Sequence, residues 1–148
     1  MAREDFVCAH RLRVRWAEVD MQKIVFNGHY LTYIDTAIAE YWRKIGLPYP
    51  HGYVERYGND VYLRKATVEY LGSARYDDEL TIYCRVAKLG RSSMTFAFEI
   101  HREDATAPPP LVTAELVYVN ADPQMRPAPL PDEVREKVRR YERMAPQS

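Results

Sequence analysis

Two short stretches of this chain hold side chains that can do chemistry. The first begins Arg13-Val14-Arg15-Trp16-Ala17-Glu18-Val19-Asp20-Met21-Gln22-Lys23-Ile24-Val25-Phe26-Asn27-Gly28-His29-Tyr30-Leu31 and continues to Tyr41. A carboxylate such as Asp20 or Glu18 can attack an electrophile or activate water, and the His29 imidazole can carry a proton. Each also has a plainer reading. A lone loop aspartate usually serves a turn or cap, alternation after Trp16 turns Glu18 to solvent, and a histidine beside a helix N-terminus is disfavoured as a cation. The second stretch is Lys88-Leu89-Gly90-Arg91-Ser92-Ser93. Cations and hydroxyls around a tight turn suit a phosphate, with a guanidinium able to bind it bidentately. The same residues are ordinary at a solvated hairpin tip.

Composition narrows the classes of function. The chain has 148 residues, 47% of them hydrophobic and 28% charged, with 21 acidic and 21 basic side chains. That suits one domain spanning residues 1–148 with a real core, and it excludes disorder for most of the chain. A pI near 6.9 argues against a broad nucleic-acid-binding face. No apolar run approaches the roughly 18 residues of a membrane span, and Met1-Ala2-Arg3-Glu4-Asp5 leads into no signal-type apolar segment. Two cysteines, Cys8 and Cys84, are too few for a disulfide scaffold or a cysteine-built zinc site, which points to a reducing, cytoplasmic setting. The four histidines lack ligand spacing, and the sequence contains no Gly-x-Ser-x-Gly, Walker-type, Gly-x-Gly-x-x-Gly or His-Glu-x-x-His pattern. Twelve tyrosines, each an apolar body with a polar tip, suit interfaces and half-wet pockets.

These side chains must be held by the elements around them. Period-two alternation predicts a strand over 6–16, with Phe6, Cys8, His10, Leu12, Val14 and Trp16 on one face. Residues 17–26 carry no period and read as a loop. Asn27 reads as an N-cap, and Tyr30, Ile34, Ala37, Ile38, Tyr41 and Ile45 recur at helical spacing until Gly46 and Pro48 stop the pattern. After a loop over 47–60 come four strand-like runs, at 61–71, 80–89, 92–102 and 111–121, the last following a Pro108-Pro109-Pro110 break. Short links between them predict antiparallel hairpins. The proline-rich connector at 127–131 leads to a charged segment with little apolar stripe, expected as a surface helix or tail over 132–148. The whole is an α+β pattern of one long helix against a five-stranded antiparallel sheet.

The order of elements and the Arg13–Leu31 segment together resemble the hotdog-fold acyl-CoA thioesterases of the 4-hydroxybenzoyl-CoA thioesterase type. The resemblance is carried by Asp20 after the first strand, the apolar link Ile24-Val25-Phe26, and Tyr30-Leu31 opening the helix. It continues through 61–71, the Lys88–Ser93 turn and the connector at 126–131. The chain departs from that pattern at Lys23, where glycine is common, at Asn27, where an aromatic or histidine is common, and at Ile38 and Asp35, where arginine and glutamate are frequent.

The resemblance implies a role for each of these residues. Asp20 would be the catalytic carboxylate, as nucleophile or as general base. The backbone N–H of Asn27, with Gly28, His29 and Tyr30 within a turn of it, would hold the oxyanion at the helix start. Lys88, Gly90, Arg91 and Ser92 would hold the phosphates of coenzyme A. No metal or bound cofactor is implied, the coenzyme A thioester being the substrate. The implied assembly is a homodimer or homotetramer whose sites use both subunits, without nucleic acid or integral membrane association. Two other activities fit the same residues: hydration or dehydration of an acyl thioester, which needs a histidine beside the carboxylate, and binding of acyl-CoA without turnover.

Overall fold

A computed structural model of the chain describes residues 3–103 and 109–148. Five strands, β1 (Cys8–Arg13), β2 (Asp60–Tyr70), β3 (Glu79–Leu89), β4 (Ser93–Arg102) and β5 (Val112–Ala121), form one antiparallel sheet in the order β1-β3-β4-β5-β2. Helix α1 (His29–Lys44) lies across it and helix α2 (Asp132–Tyr141) closes one end. Of the Pro108–Pro110 break, Pro108 falls outside the described residues.

The core forms where two periodicities meet. Leu80, Ile82, Cys84 and Val86 on β3 and Met94, Phe96, Phe98 and Ile100 on β4 alternate onto the concave face, all buried. Tyr30, Ile34, Ala37, Ile38 and Tyr41 of α1 cover them, at the spacing read from the sequence. Phe96 sits at the centre, its ring between Tyr41 at 5.4 Å and Tyr118 at 5.8 Å, with Phe98 stacked at 6.1 Å. Helix α1 ends at Lys44. Gly46 then takes φ +85°, a left-handed turn that glycine adopts without strain.

Two expectations need correction, and a third, the C-terminal surface helix, gains an anchor. The first strand stops at Arg13, because residues 16–18 form a 3-10 turn that breaks the period-two pattern. Trp16 is therefore largely exposed against the Tyr76 ring, while Glu18 is buried. Successive strands form hairpins for β3–β4 and β4–β5 only. Strand β2 pairs with β5 and β1 pairs with β3, so the link over 71–78 crosses the end of the sheet instead of turning a hairpin. Segment 132–148 begins as a helix anchored to the core. Val134 and Val138 are buried one turn apart, and Glu133 binds Arg56 (2.6 and 2.7 Å) and the Tyr57 hydroxyl. Beyond it, Glu142 accepts hydrogen bonds from the Tyr41 hydroxyl (2.6 Å) and the Val86 amide (2.8 Å). Gln147 then pairs with the edge of β3, accepting from the Leu89 amide and donating to the Ala87 carbonyl.

The other exposed edge is long and bare. Strand β2 has eleven residues, and Tyr62, Leu63 and Tyr70 on it are 40–50% exposed. An open edge of this length carrying large apolar side chains is a template for pairing.

Candidate active site

The turn over 19–25 is built from its own sequence. Val19 and Val25 form an antiparallel bridge, the Asp20 amide donates to the Ile24 carbonyl (3.0 Å), and Lys23 closes the turn at φ +65°. The Asp20 carboxylate accepts the Gln22 amide at 2.8 Å through Oδ1, the Asx-turn expected of a loop aspartate. Oδ2 accepts no hydrogen bond from the described residues, and the side chain is half-buried. The turn and cap role is thus real, and it leaves one carboxylate oxygen for chemistry.

Helix α1 starts beside this turn. Its N-cap is Gly28, not Asn27, and no side chain caps it, because the chain already coils at Phe26, whose carbonyl accepts the His29 amide. Among the described residues, the Asn27 and Gly28 amides have no acceptor. Two unengaged N–H groups at the positive end of a helix dipole are chemically suited to receive an anionic oxygen. A Cβ on Gly28 would meet the Phe26 ring at 3.1 Å, so a side chain there would crowd this approach.

Asp20 and Asn27 line one cavity of about 290 Å³ together with Gln22, Ile24, Val25, Tyr30, Tyr70, Gly72 and Ser73. Tyr30 is buried and its hydroxyl accepts the Ala74 amide at 3.0 Å; burial raises its pKa, so it remains a neutral phenol. Sequence reasoning did not find Tyr70, Gly72 and Ser73. They come from the end of β2 and the crossover link, and no local pattern ties them to Asp20. Tyr70 reaches the Asn27 carbonyl with its hydroxyl at 3.4 Å and packs its ring 5.8 Å from Tyr30.

The other candidates sit elsewhere. The half-buried His29 ring stands edge-on to Phe26 at 5.9 Å and does not line this cavity. Glu18 is buried outside it, hydrogen-bonded to Tyr33 and Arg15. Of the apolar side chains able to line a pocket, Met94, Phe96 and Tyr33 are core, and Phe26 is half-exposed.

Lys88, Gly90, Arg91 and Ser92 lie at the opposite end of the sheet. Ser93, Val119 and Tyr62 are in register across β4, β5 and β2, whereas the site end is marked by Ile100, Val112 and Tyr70. The eleven residues of β3 span roughly 33 Å at about 3.3 Å each, so one protomer does not bring this tip to its own Asp20. The tip itself is rigid: Arg135 donates to the Gly90 and Arg91 carbonyls (2.6 and 2.8 Å), and the Gly90 amide donates to the Ser93 carbonyl. The Lys88 and Arg91 side chains point outward, exposed.

Known proteins share both sequence and architecture with this chain. The profile of the thioesterase superfamily matches residues 22–108. The acyl-CoA thioester hydrolase YbgC of Escherichia coli O6:H1 is 30% identical over 124 residues, 83% of this chain and 89% of that protein. Among solved structures, a hypothetical protein from Aquifex aeolicus superposes with a TM-score of 0.78 at 28% identity, covering 88% of this chain and 98% of that one. A 1,4-dihydroxy-2-naphthoyl-CoA thioesterase from Synechocystis gives the same TM-score at 17% identity, covering 88% of this chain and 93% of its own; at that identity the likeness concerns the fold. No helix among the described residues is long and apolar enough to cross a membrane. A matched family profile over more than half of the chain, a carboxylate sharing a cavity with the residue before a helix start, and a long helix against five antiparallel strands converge: this chain belongs to the thioesterase superfamily and is a hotdog-fold thioester hydrolase.

Proposed function

We propose that this protein hydrolyses acyl-CoA thioesters to the free acid and coenzyme A as a symmetric dimer, using Asp20 and the Asn27 and Gly28 amides and no metal or bound cofactor. The observation that carries the reading is the cavity shared by Asp20, whose Oδ2 is unengaged, and Asn27, whose amide, like that of the adjoining Gly28, has no acceptor among the described residues. The thioester carbonyl directs its oxygen at the helix start. Asp20 then either takes a proton from water as the water adds to the carbonyl carbon, or adds itself to give an anhydride that water opens. Both routes pass through an oxyanion that the two N–H groups stabilise, and both break the C–S bond with coenzyme A leaving as thiolate. One such donor is typically worth about 2.7–4 kcal/mol in the barrier.

Hydration or dehydration is the weaker reading, since it asks for a histidine beside the carboxylate and His29 packs on Phe26 instead. A thiol-release assay over short, long and aromatic acyl-CoAs tests the proposal. Stoichiometric free thiol and acid are expected for at least one acyl class. Tight binding with neither thiol release nor altered enoyl absorbance would make the protein a binding module.

Assembly follows from the open edge. Pairing of β2 with β2 of a second copy about a two-fold axis sets the Tyr70 end of one strand beside the Asp60 end of the other. The Lys88–Ser93 tip of one protomer then approaches the Asp20 cavity of its partner, which reconciles the two stretches that one chain keeps apart. Light scattering at micromolar concentration is expected to give a dimer or a dimer of dimers, and a fully active monomer would contradict the shared site. Arg91→Ala is expected to raise KM for coenzyme A thioesters several-fold while turnover holds, because a phosphate contact far from the carbonyl gives uniform binding. Thioesters of N-acetylcysteamine, which lack the nucleotide, are expected to be indifferent. Equal losses on both substrates would assign Arg91 to the structure of the tip.

A further inference from the structure

Glu18 is a buried carboxylate that the hydrolysis above does not use. It lies two residues before Asp20, and its carboxylate accepts three hydrogen bonds of 2.8 to 3.0 Å. Oε1 accepts the Arg15 amide and the Tyr33 hydroxyl, and Oε2 accepts Nε of Arg15, whose Nη2 forms an ion pair with the same oxygen at 3.0 Å. Its backbone carbonyl accepts the Phe26 amide at 3.0 Å, next to Asn27. Tyr33 is buried in the second turn of α1, the helix whose start offers the oxyanion donors.

One residue therefore ties together three pieces of the site. Its main chain closes the Asp20 turn against the segment leading to Asn27, and its side chain bolts that turn to α1. We propose that Glu18 is a positioning residue for the hydrolysis: through Tyr33 and the Phe26 amide it fixes the Asp20 carboxylate relative to the Asn27 and Gly28 N–H groups. The role rests on the reading of Asp20 and Asn27 given above. It differs from acid–base catalysis, because Glu18 is sealed from the cavity and has no oxygen to spare.

The charge state fits the role. Burial pushes the Glu18 pKa up, but the hydrogen bonds from the Arg15 amide, the Tyr33 hydroxyl and the Arg15 guanidinium outweigh it, and the net shift is downward. Burial and the neighbouring Glu18 carboxylate hold the Tyr33 phenol well above its ordinary range, so it stays a donor. The Arg15 side chain is largely exposed, which lets the counter-charge keep its hydration and lowers the cost of burying the pair. Reactions of this type are sensitive to small displacements, a misplacement of about 1 Å costing up to roughly 10²-fold.

Two variants and two readouts test the role. Tyr33→Phe removes only the oxygen that bolts the turn to α1 and keeps the ring packed on Tyr30. Glu18→Gln keeps an acceptor for the Arg15 amide and Tyr33 but turns an NH₂ group toward the guanidinium. Each is expected to lower kcat about 10-fold or more while KM for the best acyl-CoA stays within about 2-fold. Amide hydrogen exchange over 18–28 is expected to accelerate in both, while protection in β3 and β4 is unchanged. On an Asp20→Asn background, Tyr33→Phe is expected to cause no further loss in the residual hydrolysis of an activated thiophenyl ester, since Glu18 acts through Asp20. Unchanged kcat in Tyr33→Phe and Glu18→Gln, with unchanged exchange, overturns the role while leaving the hydrolysis standing. A wild type that releases thiol from no thioester removes the hydrolysis itself, and the positioning role with it, whatever the exchange data show.

Discussion

Asp20→Asn is expected to lower thioester turnover by about 10²-fold or more while changing stability by less than about 0.5 kcal/mol. The two effects separate because the side chain does two jobs with different atoms. Oδ1 accepts the Gln22 amide and holds the turn, and an asparagine oxygen accepts it equally well. The other oxygen, which accepts no hydrogen bond among the described residues, is replaced by an amide that can neither attack a carbonyl nor take a proton from water. Steady-state kinetics on the best acyl-CoA, with thermal unfolding alongside, checks both halves. Turnover near the wild-type value removes Asp20 from the chemistry.

Phe96→Ala is expected to do the opposite, destabilising the fold by about 3–5 kcal/mol without touching the site. The ring is buried where α1 meets the sheet, against Tyr41, Trp42, Phe98 and Tyr118. All four of these neighbours are aromatic side chains that cannot shrink, and Tyr41 is further fixed by its hydrogen bond to Glu142, so the hole cannot close. Urea denaturation is expected to show a lower midpoint with an unchanged slope, and the molecules that remain folded are expected to turn over normally. A loss under about 1 kcal/mol would mean that α1 is held mainly by other contacts.

How much of this was legible beforehand follows from how local each signal is. Helix α1 was readable because its stripe runs unbroken from Tyr30 to Ile45 and its stop is a glycine at φ +85°. Strands β3 and β4 were readable because alternation places every second residue in the core. The pairing of β2 with β5 was not, since a crossover and a hairpin link look alike over a few residues. The apolar stripe of α2 was missed because two valines four residues apart are masked by the charges around them, and the segment reads as apolar only once the groove beside α1 is known. The solvent-facing alternative for Glu18 failed for a related reason: alternation carried past Arg13 assumes a strand, and the 3-10 turn at Trp16 rotates the side chain inward.

The site shows the same division. Asp20 and Asn27 are seven residues apart and line one cavity, so their meeting is nearly local, and the resemblance to a family had singled out both. Tyr70, Gly72 and Ser73 enter the cavity through the crossover link, which no pattern near Asp20 announces. The Lys88–Ser93 tip was grouped with Asp20 by resemblance, and the register of the sheet sets it at the far end of the same protomer. In the proposed dimer, pairing along β2 brings the two together.

The central claim is that a thioester carbonyl sits between Asp20 and the start of α1. The most direct test is a crystal structure of the Asp20→Asn protein with a coenzyme A analogue in which a methylene group replaces the thioester sulfur. The account predicts the ketone oxygen about 2.7–3.1 Å from the Asn27 or Gly28 amide nitrogen, with residue 20 facing the carbonyl carbon. A ketone bound away from the helix start, or one whose oxygen meets neither amide, would contradict it.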